Sequence, residues 1–251
     1  MHNIKLENVT FIRNNRKILN DITIDFPAGK TSVIIGPSGC GKSTLLKIAA
    51  GLFPPTSGKV YVNGENLLAM SKSRLLEFRK HSGFVFQDAA LWANKSVYEN
   101  MSLPLRVHFP EMGDAERDRK IRDMLDAVGY SDSLLLRPAQ LSNGERKMVS
   151  LARALVISPS LLYLDNPLIL VDPAVLSKMQ KLLLNIHRSD STILGNFSDT
   201  SLTKKISDFV AVMKDGKILC RGSLEHITGN TDPSVAEVVE AVLYHKSDNS
   251  V

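Results

Sequence analysis

Apolar residues recur at every second position near the start of the chain. In IKLENV (residues 4–9) and DITIDF (residues 21–26) they alternate with charged and polar ones, the period of a strand with one face on a core. TSVII (residues 31–35) is closer to a continuous apolar run, suited to a strand covered on both faces, and Pro27, Ala28 and Gly29 supply the turn before it. KSTLLKIAAGL switches to helical spacing and stops near Gly51, after which GKVYVNGENL predicts a short strand with an Asn-Gly turn, and GFVFQ (residues 83–87) another strand. Helical spacing then dominates over residues 97–105, over 114–128 with Ile121, Leu125 and Val128 on one face, and over 145–156. Strand-like runs return at 161–164, 192–196, 209–213 and 218–220, with helical stretches at 173–187 and 200–207 between the first three. Strands alternating with helices predict an α/β fold with a mainly parallel sheet and helices on both faces. An N-terminal antiparallel β-subdomain precedes it, and the block at about 88–158 reads as an inserted α-helical subdomain. Residues 1–230 would then form the main domain, and 231–251 a C-terminal helix and tail. In that tail Val235, Val238, Val239, Val242 and Leu243 predict a helix over residues 234–245 that packs on its own domain or on a second subunit.

Composition changes this picture little. The 251 residues, 43% hydrophobic and 23% charged, suffice for a substantial core. The net charge of +5 is mild, fits an ordinary solvated surface, and gives no reason to expect a nucleic-acid partner. Two cysteines, Cys40 and Cys220, do not make a disulfide framework and suit a reducing compartment. The start MHNIKLENVT lacks the apolar core of a signal peptide. No uncharged apolar run approaches the roughly 20 residues that span a bilayer, so membrane association is expected only through a partner.

The chemistry begins at GPSGCGKST, residues 36–44: Gly36, Pro37, Ser38, Gly39, Cys40, Gly41, Lys42, Ser43 and Thr44. The spacing Gly36-x-x-x-x-Gly41-Lys42-Ser43, between a predicted strand and a predicted helix, is the P-loop pattern. Glycines let successive backbone N–H groups converge on phosphate oxygens, and the helix N-terminus adds partial positive charge. Lys42 would neutralise the β- and γ-phosphates of ATP, and the Ser43 hydroxyl would ligate Mg²⁺. Cys40 inside the loop reads as a small space-filler, with a redox switch as the sharper alternative.

Further motifs carry a resemblance. LSNGERKMVSLARAL (residues 141–155) resembles the signature segment of ATP-binding-cassette (ABC) ATPases, and LLYLDNP (residues 161–167) resembles their Walker B strand. Gln87 looks like the family's Q-loop glutamine, and LVDP (residues 170–173) like its D-loop. The resemblance runs from about residue 4 to 230. It implies a P-loop, RecA-like core, ATP and Mg²⁺ as ligands, and Ser43, Gln87 and Asp165 around the metal. It also implies a dimer in which Ser142 and Gly144 of one chain face ATP held by the other, either as a homodimer or beside a second ATPase subunit. Two stretches, AMSKSRLLEFRK and FQDAALWANKSVYENMSLPLR, look like the ATPase subunits of MCE-type bacterial phospholipid transporters. That narrower resemblance implies a transmembrane transporter subunit as partner, the cytoplasmic face of the inner membrane as location, and Leu91 and Trp92 near the contact.

Four positions depart from the family's pattern. Asn166 stands where a catalytic glutamate is expected; its amide orients water but has negligible basicity, and losing a positioned base costs about 10²–10⁴ in rate. Ser198 stands at the switch histidine and brings no imidazole. Asn143 replaces the first signature glycine, a change that asparagine's tolerance of left-handed backbone would soften. Arg13 falls where an aromatic usually stacks on adenine; a guanidinium also stacks, and Phe11 is a second candidate. Lys42, Ser43, Gln87 and Asp165 remain, so strong Mg-ATP binding and weak hydrolysis are expected. Two other readings stand beside a transporter subunit. One is a non-transport ATP-dependent clamp, which would normally carry large insertions or tandem cassettes; the other is a nucleotide-gated scaffold that never hydrolyses.

Overall fold

The computed structural model describes residues 2–169, 171 and 173–244, without the side chain of Ala174. Leu170 and Asp172 of the D-loop stretch, and His245 of the predicted tail helix, lie outside the described residues.

An antiparallel sheet of order β2-β1-β4-β5 is built from β1 (Ile4–Arg13), β2 (Arg16–Phe26), β4 (Ser57–Val62) and β5 (Glu65–Asn66). Asn14 and Asn15 join β1 to β2 at φ 50° and 57°, the pair of left-handed residues a tight hairpin with right-handed twist demands. The hairpin therefore extends β2 back to Arg16, ahead of the alternating run that begins at Asp21.

The central sheet has the order β10-β9-β3-β8-β7-β6, from β3 (Thr31–Ile35), β6 (Ser82–Val85), β7 (Leu161–Asp165), β8 (Thr192–Asn196), β9 (Phe209–Lys214) and β10 (Lys217–Gly222). All neighbours are parallel except the β9–β10 hairpin at one edge. Alternation divides its side chains between two cores. Val33, Ile35, Leu162, Leu164, Val210 and Val212 face one, while Ile34, Leu161, Tyr163, Ala211 and Met213 face the other. Burial on both faces explains why the inner strands β3, β7 and β9 read as largely apolar runs, whereas the edge strand β10 alternates exposed and half-buried positions.

The second of those cores holds α1 (Lys42–Ala49), sandwiched between the two sheets, together with α2 (Lys72–Lys80). The first is shared with α3 (Val97–His108), α4 (Asp114–Val128) and α5 (Asn143–Leu155), whose Met101, Leu105, Ile121, Leu125, Val149 and Ala152 converge on it. On the same face lie α6 (Pro173–His187), α7 (Thr200–Ile206) and α8 (Leu224–Thr228). The tail forms α9 (Pro233–Val239), started by the Asp232 cap, and then one π-helical turn over Glu240–Tyr244. Val235, Val238, Val239 and Leu243 are buried in this same core, so the described tail packs on its own chain. At about 1.5–3 kcal/mol per fully buried aliphatic side chain, that anchorage is firm.

Candidate functional site

The P-loop runs from the end of β3 to the start of α1. A Cβ added at Gly36 would lie 2.1 Å from the Met213 carbonyl oxygen, and at Gly41, φ 108°, it would lie 2.9 Å from that of Ile18. Only glycine lets the loop pass that close to β9 and β2. Lys42 Nζ donates to the carbonyls of Gly36 and Pro37, both at 2.7 Å, which holds the ammonium over the loop. Cys40 is buried, and burial pushes its thiol pKa up, so it fills space and is not an activated thiolate. A cavity of about 450 Å³, within the usual range for small-molecule sites, is lined by Gly36, Ser38, Gly39, Gly41, Lys42 and Thr44, and on the facing side by Gln87, Asn166 and Ser198.

Asp165 ends β7 almost fully buried at 1% exposure. Ser43 Oγ donates to its Oδ1 at 2.7 Å, and Asn196 Nδ2, from the end of the neighbouring strand β8, donates to the same oxygen at 2.9 Å. Parallel pairing of β7 with β8 thus delivers Asp165 and Asn196 to one place, and the β3–α1 loop brings Ser43. A buried carboxylate bonded to a hydroxyl, with Gln87 lining the same cavity, offers hard oxygen donors that fit a small divalent cation such as Mg²⁺.

One residue further, Asn166 adopts φ 46° and its N–H donates to Asn196 O at 3.1 Å. Its amide oxygen accepts from both the backbone N–H and the hydroxyl of Ser198, at 3.1 and 2.9 Å. The two positions that depart together in the sequence are therefore bonded to each other. Ser198 itself is held between β8 and the Asp199 cap of α7.

Gln87 follows β6 and is exposed at the mouth of the cavity. Behind it, Ala89 and Ala90 sit at φ 65° and 44°, a conformation costing about 1–2 kcal/mol for a residue with a Cβ. Three residues of α5, spaced by three along one face, hold that segment by its carbonyls. Lys147 Nζ donates to Gln87 O. Ser150 Oγ donates to Ala89 O at 2.8 Å, and Arg153 to the oxygens of Ala89 and Ala90 at 3.2 and 2.9 Å. Lys147 is buried, and this desolvation lowers its pKa against the opposing pull of Asp88 and Asp165. No motif announced this rail, because its two halves lie some sixty positions apart in the chain.

The signature segment is more regular than its sequence suggests. Ser142 is the N-cap of α5: its hydroxyl accepts from Glu145 N at 3.2 Å and its N–H donates to the Glu145 carboxylate at 2.6 Å. Asn143 is already the first residue of the helix and not a left-handed one, so the tolerance expected of asparagine is not called upon. Asn143 and Lys147 border a second cavity, of about 590 Å³, with Ser43, Gln87 and Asp165. Ser142 and Gly144 line neither cavity; Ser142 is exposed and Gly144 buried.

At the other end of the P-loop cavity the lining residue is Ile18, which sequence reasoning missed because a lone aliphatic in a strand carries no motif. Arg13 is exposed at the end of β1, and Phe11 stacks on Phe53 with ring centroids 6.0 Å apart. Neither is among the residues lining the cavity. Val242 of the tail does line it, beside Phe197. Away from the P-loop, a groove of about 570 Å³ runs between β6 and α3, lined by Leu52, Phe84, Phe86, Trp92, Val107 and His108 among others. Trp92 is 50% exposed there, while Leu91 is partly buried against the core. Among the described residues, no helix is long and apolar enough to cross a membrane.

Comparison with known proteins agrees with this geometry. The family described as "ABC transporter" matches residues 19–169. The chain is 32% identical to the intermembrane phospholipid transport system ATP-binding protein MlaF of Escherichia coli (strain K12), over 95% of this chain and 89% of that one. It is 35% identical to the methionine import ATP-binding protein MetN of Mannheimia succiniciproducens, over 93% of this chain and 69% of that one. The dimeric ATP-binding cassette MJ0796, solved in a post-hydrolysis state bound to ADP and Pi, superposes with a TM-score of 0.80 at 28% identity, covering 88% of this chain and 98% of that one. With the P-loop, the Asp165 strand end, Gln87 and the capped signature helix arranged around adjoining cavities, the chain belongs to the ABC transporter family of ATP-binding proteins.

Proposed function

We propose that this chain is the ATP-binding subunit of a phospholipid transporter, seated on the cytoplasmic face of the inner membrane. Mg-ATP binding and dimer closure would drive transport, while hydrolysis at the chain's own site is slow. Phospholipid as cargo is supported by the phospholipid-transport relative, aligned over nearly the whole chain, and by the two stretches Ala69–Lys80 and Phe86–Arg106. In this reading Gly36 to Thr44 cradle the phosphates, with Lys42 as their main charge, and Ser43, Asp165 and Gln87 hold Mg²⁺. That cation would screen the phosphate charge when bound. Ser142 and Gly144 face the ATP of a second ATPase subunit, and the groove beside Trp92 receives a short helix of the transmembrane subunit. Ile18 borders the cavity and is a further candidate for contact with adenine beside Arg13 and Phe11.

Slow hydrolysis rests on one observation: the amide oxygen at residue 166 is engaged by two donors of Ser198. Water at that position finds neither a base nor a free acceptor oxygen. If the dimer is heterologous, the partner's site completed by Ser142 and Gly144 of this chain carries the turnover. If it is homologous, both sites are slow. The test is steady-state phosphate release by the purified chain with Mg-ATP. The expected rate is about 10²–10⁴ below an intact site. Turnover at an ordinary enzymic rate of about 10 s⁻¹ by the chain alone would overturn the reading.

A further inference from the structure

We infer that Asn166 is a γ-phosphate ligand, its amide locked by Ser198 so that the NH₂ group faces the nucleotide, and that the pair distinguishes ATP from ADP. The inference rests on the proposed nucleotide site and assigns the two divergent residues a binding role in it.

The orientation of the amide follows from its partners. The Ser198 N–H can only donate, so the atom of Asn166 lying 3.1 Å from it is the oxygen. The hydroxyl of the same serine, at 2.9 Å, donates to that oxygen as well. Turning the amide over would set its NH₂ against the Ser198 N–H, two donors facing each other, and lose that bond, while the serine hydroxyl would have to turn round to accept. The nitrogen is thereby fixed on the side of the planar group away from Ser198, and it has no partner among the described residues. The left-handed backbone at φ 46°, tied to β8 by the bond from Asn166 N to Asn196 O, fixes where the side chain starts. Asn166 lines the same cavity as Lys42 and Ser43, one residue beyond the carboxylate that Ser43 touches.

A glutamate in this place would present negative charge to a phosphate. The locked amide presents a neutral donor, and a donor to an ionised phosphate makes one of the stronger hydrogen bonds a side chain can form. ADP lacks the γ-phosphate, so the bond forms with ATP alone. The same two substitutions that remove the base and the imidazole thus favour retention of ATP.

The experiment compares the affinities of the full chain for Mg-ADP and for the non-hydrolysable Mg-AMP-PNP by titration calorimetry. Asn166→Gly removes the amide while keeping a residue at ease at positive φ. It is expected to weaken AMP-PNP binding by about 10-fold or more, and ADP binding by less than about twofold. Ser198→Ala removes one of the two locking donors and is expected to shift AMP-PNP in the same direction by a smaller factor. Equal effects on both nucleotides, or no effect, in a folded Asn166→Gly protein overturn the inference. An Asn166→Gly loss with Ser198→Ala unchanged overturns the locking role. An unaltered chain that binds neither nucleotide overturns the proposed function itself, which is a different failure from a lost preference.

Discussion

At the scale of single residues, Asn166 and Ser198 form one hydrogen-bonded unit, and changing one alone leaves the other adapted to its former partner. Asn166→Glu puts a carboxylate beside Asp165 and restores a group able to polarise water. At saturating Mg-ATP, so that altered affinity does not intrude, phosphate release by the assembled complex is expected to rise about 10-fold or more, a barrier change of at least ~1.4 kcal/mol. Adding Ser198→His is expected to raise it further, since the serine now holding residue 166 would give way to an imidazole. No gain from either variant, in protein that still binds ATP, would locate turnover at a partner's site. Lys42 is the simpler case. Its ammonium is held over the P-loop by two carbonyls, and Lys42→Ala is expected to abolish tight ATP binding in equilibrium dialysis; unchanged affinity would contradict the P-loop assignment. These residues were legible in the sequence because each belongs to a contiguous motif. Ile18 was not, because it is an ordinary strand aliphatic, and the role of Lys147 was not, because its partner, the Gln87 carbonyl, lies sixty positions before it, outside the signature stretch that contains it; only the fold gives them these neighbours.

Elements were legible in proportion to their burial. The inner strands β3, β7 and β9, covered on both faces, are largely apolar runs that no helix of that length would need, and the positions of all six strands of the central sheet agree with the reading within a residue or two. The polar segments were less legible. The five-residue helix α8 is too short for periodicity, and the start of β2 is fixed by the Asn14–Asn15 turn rather than by any alternation. The rail between α5 and the Gln87 segment belongs to this scale, since it joins a helix to the loop that follows β6. Two consecutive left-handed alanines are not self-supporting, and the side chains of Lys147, Ser150 and Arg153 supply what their own backbone preference does not. Ser150→Ala leaves the buried Ala89 carbonyl with only its longer bond to Arg153. A loss of about 1 kcal/mol in denaturant unfolding is expected, with faster amide exchange over residues 87–92 than elsewhere. Uniformly unchanged exchange would show that the segment is held by other contacts.

At the scale of the whole molecule, the segment following Gln87 spans two places. Gln87 borders the P-loop cavity, and Trp92, a few residues later, stands half exposed in a groove on another side of the domain. Trp92, Val107 and Leu52 are each at least 40% exposed, and together they make an apolar surface whose burial a solvated domain does not require. His108 in the same groove keeps a buried Nδ1 without a hydrogen-bond partner among the described residues, and burial, followed by Lys80 and Arg79, lowers its pKa. A neutral imidazole beside an exposed indole suits a packed helix better than open water. On the proposed function that helix comes from the transmembrane subunit. Trp92→Asp would set a charge in the middle of the contact, while the backbone there stays held by the bonds between Trp92 and Asn100. The variant is expected to keep its fold and its ATP affinity, because Trp92 touches neither cavity at the P-loop. It is expected to fail to co-purify with the membrane complex, and to lose any transport that depends on it. Normal assembly by a folded Trp92→Asp protein would mean that the partner docks on another surface.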